Sequence, residues 1–230
     1  ACHWAWAVLL LRGVCSVGLG LRVDIVAYSA AISACEKGLE WERALGLLAG
    51  SLALGLGRDV VAQSAAISAC EGGLEWARVL LLLGGLWSAR LPADAVAFNS
   101  AISACEKGRQ WHLALLLLTQ LEGSGLQPQA ASYNAAITAC EKCGQPAAAA
   151  ALARKLLWKR LEPDAFTFSA LVCASELERH WQQALELLDE AMVAGIRLGL
   201  PSLGAALGAC GAAGRWRRAL RLLAGAARGS

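Results

Sequence analysis

Tryptophan recurs along this chain every 35 residues. Trp6, Trp41, Trp76, Trp111, Trp181 and Trp216 share one grid, and Pro146 stands in the slot left over. Cysteine keeps the same period at Cys35, Cys70, Cys105, Cys140 and Cys210. The text between the markers repeats too: "YSAAISACEKGLEWERALGLL" from 28, "QSAAISACEGGLEWARVLLLL" from 63 and "FNSAISACEKGRQWHLALLLL" from 98. Two independent markers with one period define an array of like units, each too small to bury its apolar surface alone.

Units starting at Ile25, Val60, Ala95, Ala130 and Ala165 are complete and span 25–59, 60–94, 95–129, 130–164 and 165–199. A nearly complete last unit covers 200–230, and 1–24 reads as the second half of an earlier one. The whole of 1–230 therefore reads as a single repeat array, a fragment of a longer protein.

Inside a unit the apolar spacing is helical. Tyr28, Ala31, Ile32 and Cys35 lie at i, i+3, i+4 and i+7, one face of a helix. Gly38, Gly73 and Gly108 follow, at the place where a helix stop favours glycine. Trp41, Ala44, Leu45 and Leu48 repeat the spacing in a second helix, and Pro146 suits the first turn of such a helix because its missing N–H has no partner there. "LQPQ" at 126–129 and "LEPD" at 161–164 supply turns between units. The expected fold is all-α: an α-solenoid of stacked 35-residue helical hairpins, with a continuous core and a concave surface. The tryptophan grid then packs helix against helix.

Composition narrows the class. Hydrophobic residues make up 57% and charged residues 17%, too apolar for a solvated, disordered chain. A membrane-spanning helix needs about 20 apolar residues. The run 44–57 has 14 residues between Arg43 and Arg58, and 198–214 is broken by Pro201, Ser202 and five glycines. No membrane span is expected. The net charge of +3 permits a polyanionic partner without demanding one. The gridded cysteines read as small buried helix residues. Cys140 and Cys143 form one CxxC without a second pair at zinc-site spacing, so no metal is expected. Free thiols in this number suit a reducing compartment.

Nothing points to catalysis or to a cofactor. The histidines, His3, His112 and His180, lie in no H-x-E arrangement. There is no glycine-rich phosphate loop and no nucleophile elbow. Glu36, Glu71, Glu106 and Glu141 follow the repeat and belong to its architecture.

The period of 35, the aromatic-polar pair opening the first helix and the closing Asp24, Asp59, Asp94 and Asp164 resemble the pentatricopeptide repeat family. "AYSAAISACEKG", "AFNSAISACEKG" and "SYNAAITACEKCG" carry the likeness, which extends over essentially the whole chain. It implies a right-handed superhelix that binds single-stranded RNA, one base per repeat. It also implies a role in organelle RNA processing, stability or translation, in the mitochondrion or chloroplast. The fifth residue of a unit and its closing residue would touch the base edge. These are Ser29 with Asp59, Ser64 with Asp94, Asn99 with Gln129 and Asn134 with Asp164, while Ser169 is followed by Gly199. The second residue would pack on the base face: Val26, Val61, Val96, Ala131 and Phe166. Hydroxyl with Asp suggests G and Asn with Asp suggests U, which implies a core of G-G-pyrimidine-U. Gln129, Gly199 and Gly204 depart from the pattern, leaving the repeats from 95 and 165 weakly specified and the last unit as a cap.

The chemistry is sensible without the family. Ser and Asn both donate and accept, whereas Asp only accepts and could orient its neighbour. The same residues would also serve as helix and turn caps. Lys37, Lys107 and Lys142 share one position at the end of the first helix, where they could meet phosphates or complement the helix dipole. Arg215, Arg217, Arg218 and Arg221 form a basic cluster on the last hairpin. The rival expectation is a scaffold for protein partners without RNA binding. Second-helix text such as "LLAGSLALG" at 47–55 lacks the charges of a solvated face.

Overall fold

The computed structural model describes residues 24–89, 91–177, 180–196 and 199–214, together with 5, 6, 9 and 217. The regular structure among them is α-helical. The order is α1 (Ile25–Lys37), α2 (Trp41–Ala53), α3 (Val60–Gly72), α4 (Trp76–Ser88), α5 (Ala95–Lys107), α6 (Trp111–Gly123), α7 (Ala130–Lys142), α8 (Pro146–Trp158), α9 (Ala165–Leu177), α10 (Trp181–Val193) and α11 (Leu200–Ala212). First helices begin at the unit starts read from the sequence, and second helices begin on the tryptophan grid. Stacked helical hairpins make this an all-α solenoid fold. Most of the partial first repeat, with His3, lies outside the described residues, as do Arg215, Trp216, Arg218 and Arg221.

The chain divides into two compact units, residues 1–127 and 128–230. In the first, α1 packs on α3 and α3 on α5. Helix α2 lies against α1 and α3, α4 against α3 and α5, and α6 against α5. The second unit repeats the scheme, with α7, α9 and α11 in one row, α8 against α7 and α9, and α10 against α9 and α11. Within each unit, first helices therefore touch the first helices of the next repeat, and α2, α4, α8 and α10 each wedge between two of them.

Small residues make that row possible. Ile32, Cys35, Ala44 and Leu48 pack with Ala62, Ala65, Ala66 and Ala69 of α3 in one buried cluster. Alanines let two helix backbones approach, and the fully buried Ile32 contributes about 1.5–3 kcal/mol. The gridded cysteines 35, 70, 105, 140 and 210 are buried and unbridged. Burial pushes the thiols of Cys70, Cys105 and Cys140 up to about 11, so they stay protonated and inert at neutral pH.

The glycines after the first helices act differently from the helix-stop expectation. Gly38, Gly73 and Gly108 have φ of −86°, −81° and −79°, open to any residue. The left-handed step falls one residue later, on Leu39, Leu74 and Arg109, at φ of 58°, 62° and 54°. What requires glycine at 73 and 108 is tryptophan. A Cβ on Gly73 would lie 2.7 Å from Cγ of Trp41, and one on Gly108 would lie 2.7 Å from Cγ of Trp76. Trp41 also carries the Arg78 guanidinium 4.3 Å from its ring centroid. Each of these tryptophans clamps its own repeat to the next, as the grid suggested. Among the described residues, no helix is long and apolar enough to cross a membrane.

Candidate nucleic-acid interface

The candidate site is built at the first turn of each first helix. The preceding aspartate caps that turn. Asp24 accepts the Ala27 N–H at 2.9 Å, Asp94 the Ala97 N–H at 2.8 Å and Asp164 the Thr167 N–H at 2.9 Å. Asp59 accepts from the Val61 and Ala62 N–H groups at 3.3 and 3.2 Å. A side-chain oxygen here satisfies a donor that the helix leaves free. The capping alternative left open by the sequence therefore describes these aspartates correctly. Gln129, which replaces Asp, also precedes its helix, and its N–H donates to Ser132 Oγ at 3.3 Å.

Within that turn the second residue of each unit points outward. Val26, Val61 and Val96 are 66%, 60% and 57% exposed, Phe166 is 48% exposed and Ala131 is also exposed. An apolar side chain in water at the same place in five repeats gains nothing from the core. The fifth residue lies nearer the packed interior: Ser64 is buried, and Ser29, Asn99, Asn134 and Ser169 are half-buried.

The fifth residues differ in what they touch. Ser64 Oγ donates to Asp94 Oδ1 at 3.0 Å, so one carboxylate caps α5 and holds the hydroxyl of the preceding repeat. Ser29 Oγ instead donates to the Val26 carbonyl at 3.0 Å, one turn back on its own helix. Asn134 reaches Asp164 through a bridge. Its Oδ1 lies 3.1 Å from Thr167 Oγ1, which is 3.0 Å from Asp164 Oδ1. Ser169 hydrogen-bonds Glu141. Asn99 and Gln129 belong to different compact units.

The lysine position at the helix end is also built. Lys107 Nζ sits 3.1 Å from Glu71 Oε1, which accepts the Ser103 hydroxyl at 2.6 Å as well. Lys107 therefore already carries a carboxylate across the repeat step, and a phosphate would have to compete with it. Lys37 and Lys142 are exposed at the same position of their helices. Glu141, the counterpart of Glu71 two repeats on, lies where the chain has Leu177 instead of a lysine. Burial pushes its carboxyl up to about 7. The Ser169 hydroxyl pulls the other way, and the Asp164 charge adds to the rise. Burial likewise raises Glu36, with Lys37 opposing and Glu71 adding to the rise.

Two residues of this site escaped the sequence reading. Thr167 bridges Asn134 to Asp164; its signal was a hydroxyl residue three places after a closing Asp. Gln63 stands where the other complete repeats carry Tyr or Phe, and its Nε2 donates to the Leu82 carbonyl at 2.8 Å. Nothing in the repeat pattern announced that substitution.

Comparison with known proteins finds the same fold of stacked helical repeats. Residues 96–126 match the family model described as PPR repeat. Among solved structures, the pentatricopeptide repeat protein PPR10 from maize is similar over 98% of this chain and 37% of its own, at 22% identity and a TM-score of 0.63. PPR10 in complex with an 18-nt psaJ RNA element matches with the same score and identity over 31% of that chain. The PPR domain of Arabidopsis thaliana protein-only RNase P 1 in complex with tRNA matches at 14% identity and a TM-score of 0.65, over 74% of this chain and 90% of its own. The chain thus spans about a third of the length of the PPR10 chains it matches. No curated protein matches it in sequence. Residues 96–126 thus match a PPR repeat, and the 35-residue register repeats the pattern of that segment along the chain.

Proposed function

We propose that the chain binds single-stranded RNA sequence-selectively, one base per repeat, without catalysing a reaction itself. The observation that carries this reading is a pairing that recurs at one place in the repeat. An exposed apolar residue three places before a half-buried polar one recurs at 26 and 29, 96 and 99, 131 and 134, and 166 and 169. At 61 and 64 the polar member is buried and held by Asp94. An apolar side chain in water offers a face for a base to stack on, and base stacking on protein side chains is sequence-tolerant. The polar residue beside it offers donors and acceptors to the base edge. PPR10 and the PPR domain of the protein-only RNase P are found in complexes with RNA, which supports the same reading.

In this reading Ser64 with Asp94 selects G, and Asn134 with Asp164 selects U. Lys37 and Lys142 meet phosphates. Lys107 contributes less, because Glu71 neutralises it. The organellar RNA processing implied by the family belongs to the same proposal. Selection of bound sequences from a random RNA pool tests it. A recovered motif with G at the base facing Ser64 and U at the base facing Asn134 supports base reading, and a pool returned without enrichment defeats it. Log affinity should also fall with log salt by about 0.7 per phosphate contact. Replacing Lys37 by Met should flatten that slope more than replacing Lys107.

One observation favours a protein-binding scaffold instead. Leu81 and Leu116 occupy the same place on α4 and α6 and are exposed, and so is Trp158 at the end of α8. A scaffold using those faces would bind its partner with little dependence on salt, the opposite of the RNA expectation.

A further inference from the structure

Trp158, at the end of α8, is 81% exposed. Few side chains would gain more from burial, so packing of the repeat does not explain its place in water. Ala53, Ser88, Gly123 and Val193 stand at that place in the other complete repeats. Arg154 and Lys155 precede it by four and three residues, which puts them on its side of the helix. Lys159 and Arg160 follow at once. Arg154 and Arg160 are exposed, and Lys155 and Lys159 are half-buried. Residues 154–160 thus gather four cations around one exposed ring.

The repeat itself does not ask for this charge. Cations near a helix C-terminus complement its dipole. Yet at the places of Arg154 and Lys155 the other complete repeats carry no cation, and in the next repeat Asp189 and Glu190 reverse the sign. Arg160 has φ of 56°, a left-handed step that Gly55, Gly125 and Gly195 take in three other repeats. Arg90, outside the described residues, has that place in the fourth. An arginine thus stands where the backbone favours glycine. The patch also runs into the candidate interface. Lys159 Nζ lies 5.5 Å from the ring centroid of Tyr133, which precedes Asn134 in the chain. Arg160 is four residues ahead of Asp164, the cap of α9.

We infer that the end of α8 is a second RNA contact, outside the row of base readers: an unpaired base from the strand flanking the read segment stacks on Trp158, and Arg154, Lys155 and Arg160 hold the phosphates beside it. The inference rests on the RNA-binding proposal above. An indole offers a stacking face to any base, so this contact adds affinity without sequence preference. An exposed ring by itself suits a protein partner as well. The cations around it fit a polyanion, and the exposed Glu186, Asp189 and Glu190 of α10 confine that attraction to one repeat step.

The test uses the whole chain and single-stranded RNA recovered from a random pool, either trimmed to the segment the repeats read or left with its flanks. The parent should bind the flanked RNA about tenfold more tightly than the trimmed one. Trp158→Ala should lose that gain and keep both the affinity for trimmed RNA and the base preferences. Trp158→Tyr keeps a ring and should keep most of the gain, whereas Trp158→Leu, apolar without a stacking face, should lose it. Arg160→Gln should lower the salt slope for flanked RNA by about 0.7 and leave that for trimmed RNA alone. A parent that reads trimmed RNA and gains nothing from the flanks overturns this contact while base reading stands. So does a gain that survives Trp158→Ala or Trp158→Leu in full. A pool returned without enrichment defeats base reading, and Trp158→Ala on the unselected pool then decides: binding about tenfold weaker keeps the contact, and equal binding ends it. A chain that binds no RNA overturns both. Vesicles of phosphatidylcholine and phosphatidylserine supply a rival polyanion. Binding to them that needs Trp158, with RNA binding indifferent to it, overturns the inference in favour of a membrane surface.

Discussion

The repeats 60–94 and 130–164 place different residues on the same scaffold. In the first, Ser64 is buried and bonds straight to Asp94. In the second, the longer Asn134 reaches Asp164 only through the Thr167 hydroxyl. Further along, Glu71 is met by Ser103 and by Lys107 of the next repeat. Glu141 is met by Ser169, and burial raises its carboxyl to about 7. At the hinge, the first repeat puts Leu74 in the left-handed slot and the second puts Gly144 there, at φ of 62° and 68°. The backbone of a repeat is thus indifferent to these choices, and the chemistry at its edge is not. A fold that tolerates variation at fixed positions can change ligand preference without changing itself.

The comparison can be broken at Asp94. If this carboxylate both caps α5 and satisfies Ser64, Asp94→Ala loses a cap worth about 1 kcal/mol and orphans a buried hydroxyl at about 1–3 kcal/mol more. Asp59→Ala should lose only the cap, because Ser29 bonds its own helix. Chemical denaturation of the two variants should separate them by at least about 1 kcal/mol, and equal losses would remove the dual role.

Exchanging the readers comes next. Ser64→Asn lengthens the side chain and keeps Asp94, so preference at that base should move from G to U. The swing should be about 1–3 kcal/mol, the size of one good base-edge contact. Binding to four RNAs differing at that position measures it. A uniform loss on all four would make Ser64 a packing residue.

The hinge sharpens the contrast on a smaller scale. Leu74→Gly gives the first repeat the residue the second already has. A left-handed step strains a residue with a Cβ by roughly 1–2 kcal/mol, and the extra freedom of glycine when unfolded takes back about 0.4–1. A net stabilisation of about 0.5–1 kcal/mol should raise the melting temperature. Gly144→Leu should lower it, and a melting temperature lowered by Leu74→Gly would mean the leucine packs usefully.

The smallest effect is on pH. Glu141 is a carboxyl raised in the folded state, so the folded chain holds more protons than the unfolded one between the ordinary carboxylate range and about 7. Its contribution to stability is greatest at the acid end of that window and declines as pH rises through about 7. The group is partly solvated, which keeps the effect modest. Glu141→Gln should flatten the melting curve against pH over that window, whereas Glu71→Gln should leave the decline in place. A decline that persists in Glu141→Gln would assign it to another group.

Much of this fold was legible in the sequence because a repeat states its own frame. Two markers at one period located helix starts at Ile25, Val60, Ala95, Ala130 and Ala165, since a helix boundary depends on local caps and local spacing. The shared place of Val26, Val61 and Val96 was legible too, through the frame, while their exposure came from the structure. The glycine role was misassigned. Gly73 looks like a helix stop in its own segment, and only the Trp41 ring of the preceding repeat explains it. The Ser64–Asp94 bond, the Thr167 bridge and the Lys107–Glu71 pair join residues 30, 33 and 36 positions apart. Such contacts depend on how one hairpin is set on the next, which the packing of alanine faces and tryptophan rings decides. The sequence by itself determined the period, the helices and the residues at each edge position. Which of those residues meet was decided by tertiary stacking, because hydrogen bonds act over about 3 Å while the period speaks only in whole repeats.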